Sequence, residues 1–212
     1  MFSVDKKLDD RVKLEAIELE NRNKARLKAW TMIANAKTNN HTYLESKGLD
    51  EMKGLVYDEK LIIPMYKRCE KGFENYLTGC QTIDEFGNKK FLYGQECSGA
   101  FFRIGTGEIN ILCEGFATGI SIQKAAKSME YSIYICFSAA NIAKVARKLK
   151  YGVVVADHDK SGVGEKYAKE TGFKYWLSDN VGEDFNDYWR SVSAFKSEQT
   201  LKKLAFNMKF WL

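Results

Sequence analysis

The segment from Ile109 to Leu177 alternates short hydrophobic runs with amphipathic stretches, and this alternation restricts the fold more than any other feature of the chain. Short hydrophobic runs bounded by glycine or polar residues are typical of buried strands. The pattern predicts strands at 109–113, 132–137, 151–156 and 173–177, joined by helices at 117–129, 141–149 and 163–170. Strands joined by helical crossovers run parallel. The region is therefore predicted to be α/β, with a four-stranded parallel sheet flanked by helices.

Acidic residues follow two of these predicted strands. Glu114 comes directly after the first strand, and Asp157 and Asp159 follow the third. Parallel strands bring their carboxyl ends to one edge of the sheet, where α/β folds bind ligands. Because strand side chains alternate with a period of two, we expect Asp157 and Asp159 to face the same way and His158 the other. Carboxylates at this edge suit Mg²⁺, which uses one or two protein carboxylates and keeps several waters.

Glycines flank the same turns. Gly115 and Gly119 border the first strand-to-helix turn, and Gly162 and Gly164 border the third. Bare backbone allows a phosphate to approach the amides at a helix N-terminus. Turns also need glycine for their own geometry, and acids at strand ends also cap helices. Each motif alone is therefore a weak signal, and the ordered combination is the specific one.

The chain before the α/β region predicts a helical segment and a small antiparallel sheet. Residues 5–36 are rich in Lys, Glu, Leu and Ala without Gly or Pro, which favours one or two helices. Leu27, Trp30 and Ile33 recur at helical spacing and are expected to pack on the body, whereas the charged earlier turns are expected to form a solvated face. A short helix at 41–48 is followed by predicted strands at 61–66, 74–83 and 89–93. Gly87 and Asn88 are expected to take positive φ in the turn between the last two strands.

This predicted sheet combines basic and aromatic residues. They are Lys67, Arg68, Lys71, Lys89 and Lys90, interleaved with Tyr66, Tyr76, Phe91 and Tyr93. Such a mixture suits the phosphates and bases of a nucleic acid. Half-buried core aromatics beside ordinary surface lysines would give the same pattern.

The overall composition excludes several classes of protein. The 212 residues carry a net charge of +5, 45% hydrophobic residues and a single proline, typical of a folded chain without a flexible linker. The five cysteines are irregularly spaced and no Cys-x-x-Cys pair occurs, so we expect reduced thiols and no zinc site. No segment has the apolar length of a signal peptide or a membrane span, and the expected location is the cytoplasm, that of the host cell if a phage encodes the chain.

Several motifs in this order resemble the Toprim domain, in the version found in phage and plasmid DNA primases. The motifs are Ile-Leu-Cys-Glu-Gly-Phe-Ala-Thr-Gly (111–119), Phe-Ser-Ala-Ala-Asn (137–141), Val-Val-Ala-Asp-His-Asp-Lys-Ser-Gly-Val-Gly (154–164) and Asp-Phe-Asn-Asp (184–187). Upstream segments at 43–48, 61–65, 81–94 and 99–105 are similar as well. The resemblance covers roughly residues 40–190.

The resemblance implies a division of the chain and roles for particular residues. It implies an N-terminal helical segment (1–40), a small basic β-rich primase-type subdomain (41–107), a Toprim catalytic subdomain (108–190) and a C-terminal helix (191–212). In a Toprim enzyme Glu114, Asp157 and Asp159 would be catalytic and would bind Mg²⁺ (or Mn²⁺), and Asp184 and Asp187 would complete the metal group. The residues implied to bind nucleotide or DNA are Lys67, Arg68, Lys89, Lys90, Arg103, Asn141 and Lys160, with phosphate approaching the backbone at Gly115 and Gly162. Asn141 has an equally good alternative role as a helix cap.

The implied activity is synthesis of short RNA primers on single-stranded DNA from ribonucleoside triphosphates. The chain departs from primases of this type because it shows no zinc-binding module and no helicase phosphate loop, so a separate zinc module or a replicative helicase is an expected partner. Two alternatives remain open: a Toprim nuclease that cleaves DNA or RNA, and a non-catalytic accessory that binds single-stranded DNA or a helicase.

Overall fold

The computed structural model describes residues 2–69 and 75–206, with side chains described from Asp10 onward. The chain divides into two compact units. Unit 1 comprises Met1–Tyr43 and Lys53–Cys97, and unit 2 comprises Leu44–Met52 and Ser98–Leu212. The class is mixed α/β with two five-stranded sheets, one in each unit. Lys71, the first residue of the strand predicted at 74–83 and the last six residues of the predicted C-terminal helix (207–212) lie outside the described residues.

Unit 1 consists of one long helix and an antiparallel sheet. Helix α1 spans Phe2–Asn35, and the strands are β1 (Lys37–Asn39), β2 (Gly54–Tyr57), β3 (Lys60–Arg68), β4 (Asn75–Ile83) and β5 (Lys89–Phe91), with the short helix α2 at Thr42–Ser46. The strands are ordered β1-β2-β3-β4-β5. Each neighbouring pair is antiparallel. The predicted antiparallel sheet is therefore confirmed, and β1 and β2 are additional strands.

Two tight turns set the register of this sheet. Asp58 and Glu59 join β2 to β3 with φ of 48° and 57°, the left-handed pair of a type I′ hairpin. Between β4 and β5, the Asp84 carboxylate accepts hydrogen bonds from the backbone amides of Phe86 and Asn88. Gly87 has the expected positive φ of 84° and Asn88 does not; the Asn88 side chain donates a hydrogen bond to the Asp84 carboxylate.

The packing face of α1 differs from the predicted one. Ala25, Ala29 and Met32 are buried, whereas Leu27 and Trp30 are 66% and 62% exposed. Ala29 and Met32 pack with Ile62 and Cys80 of the sheet, with Ile33 at the margin. Alanine has almost no side chain, so it allows the helix to approach the sheet closely, and the larger Leu27 and Trp30 are turned outward. The charged earlier turns are exposed and carry ion pairs such as Arg11–Glu15 and Lys24–Glu20, confirming the solvated face.

Unit 2 contains the predicted strand and helix alternation. Its elements are β6 (Phe102–Ile104), β7 (Ile109–Cys113), α3 (Phe116–Ala125), β8 (Tyr131–Ile135), α4 (Ala139–Ala146), β9 (Val153–Val155), α5 (Val163–Glu170), β10 (Lys174–Trp176), α6 (Phe185–Ser191) and α7 (Ala194–Ala205). The strand order is β10-β9-β7-β8-β6. The four predicted strands are parallel, and β6 adds an antiparallel edge strand beside β8 that the sequence pattern did not predict.

The core of unit 2 lies between this sheet and its helices. Leu112, Tyr134 and Val154 project from three neighbouring strands into one cluster with Ile142 and Ala168 of the helices. Gly119 lets α3 lie close to the sheet, since a Cβ there would be 2.5 Å from the Ile135 side chain. The five cysteines are free thiols, and no described helix is long and apolar enough to cross a membrane.

Candidate active site

Glu114 and Asp157 lie at the ends of two adjacent parallel strands. Cys113 of β7 is in register with Val155 of β9, so Glu114 lies one residue and Asp157 two residues beyond paired positions at the carboxyl edge of the sheet. Both residues are half-buried. The backbone oxygen of Glu114 accepts a 2.9 Å hydrogen bond from Phe137, which extends the pairing of β7 and β8 to the acidic residue itself. The expected convergence of strand ends therefore brings these two residues to one edge.

Three carboxylates contribute to the raised pKa of the Cys113 thiol at the end of β7. Burial raises the pKa of the Cys113 thiol well above its ordinary value, and further increases come from Cys136 and from three carboxylates, Asp157, Glu114 and Asp184. All three negative charges therefore act on one buried atom at the end of β7. Asp184 precedes α6 and is distant in sequence, and the hydrogen bond from the His158 amide to the Glu183 oxygen brings the chain just before it to the turn after β9.

Asp159 has a different environment from Asp157. Strand β9 ends at Val155, so the period-two argument does not extend to Asp159, whose side chain is exposed in the turn before α5. The Ser161 hydroxyl donates a 2.7 Å hydrogen bond to Asp159 and lowers the pKa of this carboxyl, with added contributions from backbone amides of the same turn. Asp159 therefore stabilises the turn, and its exposed position leaves it accessible from solvent.

Asp184 and Asp187 form a reciprocal capping box at the start of α6. The Asp184 carboxylate accepts a 3.0 Å hydrogen bond from the Asp187 amide, and the Asp187 carboxylate accepts a 3.3 Å bond from the Asp184 amide. This arrangement satisfies amides that a helix N-terminus leaves without partners. The structure gives both residues a capping function, and their metal-binding role stays a prediction.

The backbone around the acidic edge is constrained. Phe137, directly after the pairing with Glu114, has a φ of 68°, a left-handed conformation that costs a residue with a Cβ about 1–2 kcal/mol. Gly162 also has a φ of 68° and is the N-cap of α5. Gly164 has no room for a side chain, because a Cβ would be 2.2 Å from the backbone oxygen of Asp157. The first turn of α5 is thus packed directly on the Asp157 backbone.

The N-terminus of α3 lies immediately after Glu114. Its N-cap is Gly115, in extended conformation and without a side-chain capping bond. Amides at such a helix start attract anions through the helix dipole. The predicted role of Gly115 in phosphate approach therefore fits the local geometry.

Asn141 has a structural role that the sequence did not indicate. Its side chain is buried, accepts a 2.6 Å hydrogen bond from the Gly99 amide, and donates bonds of 2.7 and 2.8 Å to the oxygens of Ala100 and Cys136. Ser138, not Asn141, is the N-cap of α4. The capping alternative is wrong, and the amide hydrogens that a predicted phosphate contact would need are already donated to backbone oxygens.

The remaining predicted binding residues of unit 2 are exposed. Lys160 follows Asp159 in the same turn. Arg103 lies on the edge strand β6, opposite Tyr134 of β8, so one strand separates it from β7. Both cations are accessible, and Arg103 lies further from the acidic edge along the sheet.

In unit 1, the sheet register divides the predicted basic residues. Cys80 of β4 packs against α1, and Thr82, which is two residues further along the same strand, lies on the same face. Lys90 of β5 pairs with Thr82, so it also lies on the face toward α1. Lys89 and Phe91 pair with Ile83 and Gln81 and lie on the opposite face. The two adjacent lysines that the resemblance implies to bind nucleotide or DNA therefore lie on opposite faces of the sheet.

Lys67 is engaged in an ion pair. Its ammonium contacts the Glu96 carboxylate, which also accepts a hydrogen bond from the Tyr76 hydroxyl. Partial burial would raise the pKa of Glu96, but Lys67, Arg22 and Tyr76 together outweigh it and the net shift is downward. Arg68 ends β3 opposite Asn75 and is half-buried. Lys67 is thus held at the sheet surface by a local partner that no sequence pattern indicated.

The donor set at the acidic edge suits a hard divalent cation. Mg²⁺ takes one or two carboxylates and completes its shell with water and phosphate oxygens. Glu114 and Asp157 provide two half-buried carboxylates on adjacent strands. Across 10–69 and 75–206, no group of three or more His, Cys, Asp or Glu side chains is arranged to hold a metal ion. An open site of two carboxylates is within the normal coordination of Mg²⁺.

Comparison with known proteins extends the description of the fold. No protein-family model and no curated sequence matches the chain. Among solved structures, a similar chain comes from the complex described as bacteriophage T7 lagging-strand DNA polymerase interacting with primase domains of two gp4 subunits bound to an RNA/DNA hybrid and dTTP. The match has a TM-score of 0.52 and 12% identity, and covers 82% of this chain and 93% of the other. The protein therefore has a primase-like α/β fold.

Proposed function

We propose that this protein is a primase core of the Toprim type, which joins ribonucleoside triphosphates into short RNA primers on single-stranded DNA. The observation that carries the proposal is the pair of half-buried carboxylates, Glu114 and Asp157, at adjacent strand ends of a chain with a primase-like fold. The order of Glu-Gly after β7 and Asp-His-Asp after β9 supports the Toprim assignment.

In this proposal the acidic residues have separate tasks. Glu114 would bind the divalent ion beside Asp157 and would accept the proton of the attacking sugar hydroxyl. Asp157 and Asp159 would hold the divalent ion, with Asp184 beside them, whereas Asp187 caps α6. When bound, Mg²⁺ (or Mn²⁺) supplies charge neutralisation and orients the attacking and leaving oxygens. Asp157 is the better oriented of the Asp-x-Asp pair, because α5 packs on its backbone.

The triphosphate and template would contact bare backbone and exposed cations. The α3 amides after Gly115 and the turn at Gly162 receive phosphate oxygens, and Lys160 adds positive charge beside the acids. In unit 1, Lys89 and Phe91 share a face on which a phosphate and a base can be bound together. Single-stranded DNA is the proposed template on this surface.

The proposed partners follow from the same function. The T7 complex contains an RNA/DNA hybrid and primase domains of gp4. For this protein we propose that a replicative helicase or a separate zinc-binding module assists template selection. The proposed place of action is the cytoplasm of the cell in which the DNA replicates.

The deciding experiment is a primer-synthesis assay with labelled ribonucleotides, Mg²⁺ and mixed-sequence single-stranded DNA. Wild type should make short RNA products, and Glu114→Gln should reduce synthesis by about 10²–10⁴-fold. Glu108→Gln is the matched control, because Glu108 precedes the same strand at its other end and is exposed. Degraded template would identify a nuclease instead. No chemistry, even with added helicase, would identify a binding accessory.

A further inference from the structure

The His158 side chain connects the acidic turn to a second loop. Its Nδ1 lies 2.7 Å from the backbone oxygen of Ser178. A carbonyl oxygen only accepts hydrogen bonds, so Nδ1 must carry the proton and donate it. This contact fixes the orientation of the ring and the tautomer of its neutral form.

The backbone of His158 contacts the same loop twice more. Its N–H donates a 3.3 Å hydrogen bond to the Glu183 oxygen, and its own oxygen accepts a 2.5 Å bond from the Gly182 amide. His158 therefore makes three hydrogen bonds, two donated and one accepted, that join the turn carrying Asp157 and Asp159 to the loop at 178–183. The next residue after this loop is Asp184, the N-cap of α6.

The loop is braced internally. The Ser178 hydroxyl donates to the Glu183 carboxylate, and the Asn180 side-chain amide donates to the same oxygen at 3.3 Å. The backbone amide of Asn180 donates back to the Ser178 hydroxyl at 3.2 Å. Because its two ends are joined by these bonds, a contact that holds Ser178 also holds Glu183 and the start of α6.

We propose that His158 is a positioning residue, which ties the acidic turn to the loop at 178–183 and so sets the placement of Asp157 relative to Asp184. The backbone bonds of His158 to Gly182 and Glu183 join the residue after Asp157 to the residue before Asp184, so both carboxylates are next to the tie. The consequence for metal binding rests on the proposed function, whereas the tie itself does not. Groups that orient metal-binding carboxylates typically change metal affinity by 10–100-fold when they are removed.

Two variants separate the Nδ1 contact from the rest of the side chain. His158→Asn places an amide donor near the position of Nδ1, and His158→Gln places its amide near Nε2 instead. Both are neutral and polar, so they differ chiefly in whether the bond to Ser178 can form. Thermal melting followed by circular dichroism checks that each variant is folded.

Two readouts are measured without nucleotide or template. Hydrogen exchange of the amides at 178–184 reports the tie, and Mn²⁺ titration followed by electron paramagnetic resonance reports cation binding. His158→Gln should exchange faster in this loop and bind Mn²⁺ about tenfold more weakly. His158→Asn should stay within about threefold of wild type in Mn²⁺ affinity, with the loop protected.

If the amides at 178–184 exchange as slowly in His158→Gln as in wild type, the tie is overturned. If the two variants bind Mn²⁺ with equal affinity, the positioning role is overturned. A wild-type protein that binds no Mn²⁺ would contradict the metal site of the proposed function. Hydrogen exchange would still decide the tie in that case, so the two failures are distinguishable.

Discussion

The two sheets of this protein differ in how directly sequence position determines where a side chain lies. In the parallel sheet of unit 2, Glu114 and Asp157 follow different strands and reach the same edge, because every parallel strand ends there. In the antiparallel sheet of unit 1, Lys89 and Lys90 are adjacent in sequence and reach opposite faces. A bulge between Met65 and Tyr66 shifts the register of β3 further before Lys67. The edge that a motif at the end of a parallel strand reaches can therefore be predicted even with a small error in register. The face on which a residue of an antiparallel strand lies changes when the predicted register is wrong by one residue.

The largest expected effect separates a residue at the strand end from a residue of the helix cap. Asp157→Asn should lower primer synthesis by about 10²–10⁴-fold with little change in thermal stability. Asp187→Asn keeps an oxygen that can accept the hydrogen bond from the Asp184 amide. Its thermal stability should therefore match that of wild type, and its rate of primer synthesis should stay within about threefold of wild type. Asp187→Ala should destabilise by about 1 kcal/mol through loss of the cap. Steady-state primer synthesis and thermal melting measure these differences, and a large loss of activity in Asp187→Asn would assign Asp187 to the metal group.

The second prediction concerns the contact between α5 and the acidic turn. Gly164→Ala places a Cβ against the Asp157 oxygen, a backbone atom, and should cost about 3 kcal/mol, more than the roughly 1 kcal/mol that alanine gains in a helix. Gly162→Ala is the matched control: it meets no atom within 4 Å and has only its φ of 68° to oppose it, so about 1 kcal/mol is expected. Chemical denaturation gives both values. Equal losses would show that α5 is not packed tightly on Asp157.

The third prediction tests the division of the antiparallel sheet into two faces. Lys89→Ala should weaken binding of single-stranded DNA and reduce the salt dependence of its affinity by about one unit of slope. Lys90→Ala removes the same charge from the α1 face and should leave that slope unchanged. Fluorescence anisotropy at several salt concentrations measures both. Equal effects would mean that net charge, and not the face of the sheet, determines binding.

The smallest expected effect is the titration of Asp159. Hydrogen bonding from Ser161 lowers the folded-state pKa of this carboxyl below its unfolded value. Its contribution to stability is therefore present above the unfolded pKa and is lost as the pH falls through the folded pKa. Ser161→Ala should move the pKa of Asp159 upward, which carboxyl NMR titration can detect. An unchanged pKa would show that the Ser161 contact does not persist in solution.

Two features of the acidic edge had weak or no signals in the sequence. The left-handed φ of Phe137 falls on an aromatic residue, a type that gives no indication of positive φ. Asn141 occupied a position expected for a cap or a phosphate contact, and its actual partners, Gly99, Ala100 and Cys136, are set by how the chain before β6 returns to the end of β8. The polar residue between the two acids, His158, was the available signal for the contact with Ser178.

The sequence alone determined the parallel sheet, its helices and the strand ends that carry Glu114 and Asp157. The spacing of hydrophobic residues predicts each strand and helix, and the alternation of strands with helices predicts that the strands are parallel. Tertiary structure decided where the other acids lie: the backbone bonds of His158 to Gly182 and Glu183 bring the chain before Asp184 to the acidic edge, and Asp159 is exposed in the turn after β9. It also decided that small alanines, not Trp30, form the packing face of α1. These features depend on close approach between segments distant in sequence, and periodicity within one segment carries no information about its partner.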